Sequence, residues 1–135
     1  MKLPGLTQAF LGLALAAAGG VTAETRLPVG DPQAGEAVYA RCLACHALAY
    51  NRTGPKHCGL LGRRAGSVPG FEYSDAMKRV NWVWDRKTLD RFLADPMKTV
   101  PGTTMGYAGV KDRQERADLI AYIEQAGNSA ECRNH

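Results

Sequence analysis

The clearest hydrophobic pattern lies near the C-terminus. Leu119, Ile120, Ile123 and Ala126 form an apolar stripe at helical spacing. Asp112 and Glu115 stand at the spacing of a capping arrangement before it, and Gly127 ends it. A second stripe, Leu89, Phe92 and Leu93, follows an Asp85 cap and stops at Asp95-Pro96. Asp31-Pro32 reads as an N-cap followed by proline at the first helical position, and predicts a helix over 32–44 carrying Val38 and Tyr39. Ser74 caps a short helix through Met77 and Val80. Between these, 50–72 and 97–110 are dense in Gly and Pro and read as loops. No stretch alternates with period two for long enough to make a strand. The pattern predicts a small all-α domain wrapped by long loops. Loops of that length in a compact domain are usually functional or anchored by something other than protein.

The first residues follow a different grammar. Met1-Lys2 is a short positive start, Leu3 to Ala18 is mostly Leu, Ala and Gly, and Val21-Thr22-Ala23 has small residues where a signal peptidase cuts. Residues 1–23 therefore read as a signal peptide cleaved after Ala23, with the domain over 24–135 exported to the periplasm. The apolar stretch is short for a retained membrane anchor. Glu24, not a cysteine, stands directly after the cleavage point, which argues against a lipid anchor. Export predicts an oxidising compartment.

Composition narrows the picture further. After the leader, about one residue in six is Leu, Ile, Val or Phe. That is below the roughly 20% at which chains start to lack a core, although the high net charge that accompanies disorder is missing. The formal charge of the 135-residue chain is only +4. A domain this lean in aliphatics needs a disulfide, a metal or a bulky cofactor.

Cys42-Leu43-Ala44-Cys45-His46 supplies the candidate. C-x-x-C-H is the attachment sequence for c-type haem. Two thiols three positions apart lie about one helical turn apart, within reach of the two vinyl groups of one porphyrin, and His46 then projects under the iron. Two other readings compete. A thiol–disulfide redox pair expects a strand-rich setting, which the pattern lacks. Half of a zinc site needs a second ligand pair, and Cys58 and Cys132 are isolated. A sixth ligand for haem iron is supplied well by thioether sulfur. Of the methionines, Met77 reads as core filler, Met97 lies past a helix end, and Met105 sits in a Pro101–Met105 loop able to cross the opposite face.

Several ordered stretches carry a resemblance to a known family. They are GEAVYARCLACH at 35–46, TGPKHCGLLGRRAG at 53–66, GFEYSDA at 70–76, residues 84–96, PGTTM at 101–105, and ERADLIAYI at 115–123. Over nearly its whole length after the leader, the chain resembles the class I, mitochondrial-type cytochromes c. The resemblance implies one haem c, bound through Cys42 and Cys45, with His46 and Met105 as axial ligands. It implies that the Pro55 carbonyl accepts a hydrogen bond from His46. It implies that Arg63, Tyr73 and Trp84 contact a buried haem propionate. Gly35, Tyr39, Leu119 and Tyr122 match the crossing of first and last helices. Phe92 and Met77 depart from the family's eukaryotic members, which carry Tyr and Asn there. His57 departs from an apolar position and reads as a solvated loop histidine, with alternative ligation of the iron at high pH as the lesser reading.

Cys58 and Cys132 remain. An even leftover count in an exported chain argues for an internal disulfide, worth roughly 4–5 kcal/mol for a loop of about 75 residues. Two free thiols or an intermolecular bridge are the alternatives.

A filled iron has no open position for substrate, so the expected function is one-electron transfer and not enzymatic turnover. Arg41, Arg52, Lys56, Arg91 and Lys98 would steer a monomeric carrier onto redox proteins with acidic docking surfaces. Met97 and Thr104 stand where mitochondrial members carry Lys. A dedicated electron-accepting subunit of a periplasmic dehydrogenase is one alternative; a haem enzyme or gas sensor with a labile sixth ligand is another. Neither nucleic-acid binding nor stable membrane insertion is expected.

Overall fold

Asp31 and Pro32 begin the first helix, α1 (Pro32–Tyr39), as the cap pattern predicts: the Asp31 carboxylate accepts from Gln33 N at 2.9 Å. In this computed structural model, which describes Met1 and residues 26–134, the α-helix ends at Tyr39 and not at 44. A 3-10 turn over Ala40–Cys42 follows. The tightening continues through Cys45 N and His46 N, which both donate to Cys42 O, at 3.1 and 2.9 Å. Residues 1–23, read as a signal peptide, lie outside the described residues apart from Met1.

The remaining helices are α2 (Asp75–Lys78), α3 (Arg86–Ala94), α4 (Pro96–Thr99), α5 (Arg113–Gly127) and α6 (Ala130–Arg133). Each has the expected kind of cap. Ser74 Oγ accepts from Met77 N. Asp85 and Thr88 close a reciprocal capping box on α3. Asp112 accepts from Glu115 N. Two helices fall where the sequence pattern predicts none. Asp95 ends α3 and then caps α4, its carboxylate accepting from Lys98 N at 3.1 Å. Ser129 caps α6 in the tail. Both are single turns, too short for a periodic stripe to reveal. Among the described residues the only β-type pairing is one isolated bridge, Arg64 to Val83. The fold is all-α.

The first and last long helices cross in direct contact. A Cβ added at Gly35 would lie 2.0 Å from the Asp118 carbonyl oxygen, so only glycine permits this approach. Gly30, which the sequence pattern does not single out, meets Ala117 O in the same way. Tyr39 packs on Tyr122 with ring centroids 4.9 Å apart. Leu119 and Ile120 are almost wholly buried below, each contributing about 1.5–3 kcal/mol by leaving water.

A buried ion pair secures α3 to the start of α5. Arg116 is 6% exposed, and its Nε donates to Asp90 at 2.6 Å. Its Nη1 donates to the carbonyls of Val110 and Lys111, both at 2.9 Å. Nε and Nη1 of this buried guanidinium thus find their partners in one neighbourhood. Asp118, also buried, accepts from Asp31 N and Gln114 Nε2, each at 2.8 Å. Neither residue stands out in the sequence.

At the other end of the chain, Cys58 and Cys132 are brought together with Cα atoms 5.2 Å apart. That separation suits a disulfide.

Candidate cofactor site

The Cys42–His46 turn, the loop through Pro55 to Arg63, α2, α3, the Met105 loop and α5 together line one cavity of about 480 Å³. Its walls are mostly apolar side chains, from Leu60 and Trp84 to Leu93 and Ile123. Volume and lining suit a drug-sized to cofactor-sized ligand. The shortage of aliphatics noted above has its counterpart here: the core is arranged around a space.

Cys42 and Cys45 lie on the 3-10 turn and its continuation, at the rim of this cavity, and form no disulfide. Burial pushes the Cys42 thiol above its usual range. Among the described residues no group of three or more His, Cys, Asp or Glu side chains is placed to hold a metal ion, so the zinc reading finds no second ligand pair. What remains is two thiols and an imidazole facing a large apolar cavity, the arrangement that thioether attachment of a porphyrin needs.

His46 is buried. Its Nδ1–H donates to the Pro55 carbonyl at 2.8 Å, since a carbonyl can only accept. This leaves Nε2 as the free lone pair. Burial holds the His46 pKa below its usual value, opposed by the Pro55 carbonyl; the neutral imidazole is the metal-binding form. Gly54 approaches so closely that an added Cβ would lie 2.2 Å from His46 Cε1. The Pro55 contact anticipated from the sequence is therefore present; the Gly54 contact is an addition.

Met105 and Met77 both line the cavity, whereas Met97 is 55% exposed and does not. Met77 is also part of the central hydrophobic cluster, in keeping with a packing role. Met105 is half-buried on the 101–107 loop.

Arg63, Tyr73 and Trp84 reach the same cavity. Arg63 Nη1 and Nη2 donate to the carbonyls of Cys58 and Lys56, at 2.9 and 3.0 Å. Its Nε is buried and has no protein partner. Burial lowers the Arg63 pKa. A buried, unpartnered donor on a cationic group beside an apolar cavity calls for an anion, and a haem carboxylate fits that demand. Tyr73 Oη accepts from Val68 N at 3.3 Å, and Trp84 packs at 5.2 Å from Phe92. The residues present thus fit a haem on three counts: attachment thiols, a free imidazole nitrogen and an orphaned cationic donor.

His57 is a correction. It is not a solvated loop residue. Its ring stacks on His46, with centroids 4.3 Å apart and planes 24° apart, and its Nδ1 pairs with Tyr39 Oη at 3.0 Å. Burial, then the neighbouring His46 and Arg63, depress its pKa to about 3. The one signal in the sequence was a polar residue in a slot where relatives of the resembled family are apolar.

The basic residues divide. Arg41 forms a bidentate pair with Glu115 at 2.9 and 2.7 Å. Arg91 lies 4.6 Å from the centre of the Trp82 ring. Arg52 and Lys98 are exposed.

Comparison with known proteins agrees with this geometry. Residues 32–127 match the family model described as cytochrome c. Cytochrome c type-1 of Ascaris suum is 48% identical over 102 residues, spanning 73% of this chain and 91% of that one. Cytochrome c2 of Rhodomicrobium vannielii is 42% identical over 114 residues, spanning 82% and 91%. Among solved structures, cytochrome cH from Methylobacterium extorquens superposes with a TM-score of 0.70 at 42% identity, covering 71% of this chain and 99% of its own. A family match over most of the chain, joined to the haem-attachment turn and its cavity, makes this protein a member of the cytochrome c family.

Proposed function

We propose that this cytochrome c is an exported, diffusible one-electron carrier in which His46 and Met105 are the axial ligands and Arg63, Tyr73 and Trp84 serve a haem propionate. Membership of the family makes it a monohaem electron-transfer protein, with haem c attached through Cys42 and Cys45, and not an enzyme. The supporting observation is convergence: both thiols, His46, Met105 and Arg63, whose Nε has no protein partner, line a single cavity.

Haem c supplies a one-electron change at its iron. The protein's own residues do the rest. Pro55 holds the His46 ring with Nε2 free, and the hydrogen bond makes the imidazole a stronger donor. Leu89, Phe92 and Leu93 on α3 keep water from the Met105 side. Arg63 offers a charge-assisted donor to a carboxylate that would otherwise be buried unpaired. With two fixed ligands, little needs to move between oxidation states.

Among the described residues no helix is long and apolar enough to cross a membrane. The leader pattern supports cleavage after Ala23 and a periplasmic location, and the Cys58–Cys132 proximity supports an internal disulfide in that oxidising compartment. Exposed Arg52 and Lys98 support docking on acidic redox partners, with rates that fall as salt rises.

The test is an optical spectrum of the oxidised, purified protein. A weak near-infrared iron–thioether band is expected, lost in Met105→Ala and retained in Met77→Ala and Met97→Ala. Rapid carbon monoxide binding by the reduced wild type would overturn the carrier reading in favour of a sensor or enzyme. Intact mass checks cleavage after Ala23, one covalent haem and closure of the disulfide.

A further inference from the structure

His57 lines the cavity, and attachment, ligation and propionate contact leave it without a role. It is a polar ring in an apolar wall, and it touches the imidazole expected to ligate iron. Its surroundings hold it from three directions. Tyr39 Oη pairs with its Nδ1 at 3.0 Å. Its main-chain N–H is shared by the carbonyls of Ala47 and Leu48, at 3.1 and 3.0 Å. Its successor, Cys58, is tied to Leu48 O at 2.7 Å and lies beside Cys132.

Tyr39 is in turn enclosed. It is 2% exposed and packed on Tyr122 in the α1–α5 crossing. Burial drives its hydroxyl pKa upward, so it stays a neutral hydroxyl paired with His57 Nδ1, a group able to donate or accept with either His57 tautomer. The result is a chain of contacts from the helix crossing to the face of His46: Tyr122, Tyr39, His57, His46.

His46 needs such a contact. One hydrogen bond to Pro55 O defines the direction of its Nδ1–H but leaves the ring free to rock about that bond. The close Gly54 backbone and the stacked His57 ring limit the rocking. Stacked aromatic pairs have a preferred offset geometry, so the contact carries orientation as well as bulk.

We propose that His57, anchored by Tyr39, is a positioning residue that sets the ring plane of His46 and keeps a polar group beside the iron ligand. The proposal rests on His46 being that ligand. The ring plane governs how the ligand's orbitals meet the iron, and the polarity of the surroundings governs how well the extra positive charge of the oxidised state is tolerated.

The experiment uses the exported, haem-loaded protein and its His57→Leu, His57→Gln and Tyr39→Phe variants. Three readings are taken: the pattern of haem-methyl proton resonances in the ferric state, the reduction potential and the thermal midpoint. The methyl pattern follows the imidazole plane. It is expected to change in all three variants, and His57→Leu is expected to raise the potential because it removes polarity. His57→Gln retains an acceptor for Tyr39 but no ring, so it should return most of the potential while leaving the methyl pattern altered. A wild-type pattern and potential in every variant, with only the thermal midpoint lowered, would reduce His57 to packing. If His57→Leu yields no holoprotein, His57→Gln and Tyr39→Phe decide the matter by the same readings. The near-infrared band of the wild type reports thioether ligation separately: its absence overturns the His46–Met105 assignment, whereas an intact band with unchanged methyl resonances overturns the role of His57 alone.

Discussion

The two walls of the cavity are built by different means. On the His46 side, the backbone from Cys45 to Cys58 is densely bonded. Gly54 N donates to Cys45 O at 2.8 Å, Arg52 N to Gly54 O at 2.9 Å, and Lys56 N to the Asn51 side chain at 3.0 Å. Arg63 clamps two carbonyls of the same loop. On the Met105 side, among the described residues, the main chain of 104–109 makes one hydrogen bond, from Met105 N to Thr103 Oγ1 at 3.3 Å. The histidine wall is pre-assembled by protein contacts. The methionine wall leans on α3; under the proposed ligation its closure would come from the Met105 sulfur. A ligand whose plane matters is held rigidly, while a soft thioether on a lightly tethered loop can find its position once the opposite side is fixed.

Four measurements press on that contrast, taken from the largest effect to the smallest. Replacing Cys58 and Cys132 together by Ser releases the loop of the histidine wall from the tail; the chain-entropy model places the loss at about 4 kcal/mol, read from denaturant unfolding of the holoprotein. A loss under about 1 kcal/mol would mean the wall is rigid without it. Gly54→Ala drives a methyl into the His46 ring. Overpacking of this kind costs about 1–3 kcal/mol, and the spectrum should show His46 displaced from its normal ligation geometry. Normal spectra and stability would remove Gly54 from the account.

On the opposite wall, Asp85→Ala removes the capping box of α3 at a cost of about 1 kcal/mol at neutral pH. The Thr88 main-chain N–H holds the Asp85 carboxyl below the usual carboxylate range. The native state therefore binds fewer protons than the unfolded state through that range. The cap contributes fully above the ordinary carboxylate pKa and fades as pH falls through the lowered native value. The wild-type-to-variant difference should shrink on acidification in parallel melts; a pH-independent difference would refute the assignment. Smallest is Thr103→Ala, which removes the tether of the methionine loop and should cost about 0.5–1 kcal/mol. Its iron–thioether band should persist. Loss of the band would show that the loop is positioned by this bond and not by ligation.

Legibility in the sequence followed the range of the interactions involved. The helix starts were readable because caps act over three residues: Asp31, Ser74, Asp85 and Asp112 each cap the helix they precede. The end of α1 was not. The pattern runs to 44, but the chain tightens after Tyr39 to present Cys42 and Cys45 to the cavity. The one-turn helices α4 and α6 carry too few residues for periodicity. The cavity members Cys42, Cys45, His46, Pro55, Arg63, Tyr73, Trp84 and Met105 were all named from motif and resemblance, and all line one space. Arg116 and Asp90 escaped notice because two charged residues on different helices look solvated until the helices meet. His57 was misread for the same reason: loop composition suggests water, yet the turn after Pro55 folds it inward.

Sequence alone determined the chemistry and the class. C-x-x-C-H states which bonds can form, and stripe spacing states that helices will form, because covalent reach and backbone periodicity are local properties. Tertiary structure decided which groups share an environment. Whether an arginine keeps an unpartnered nitrogen, whether a glycine is indispensable, and whether a histidine meets solvent or another imidazole all depend on distances between segments far apart in the chain. Those distances are set only when the helices pack and the loops close.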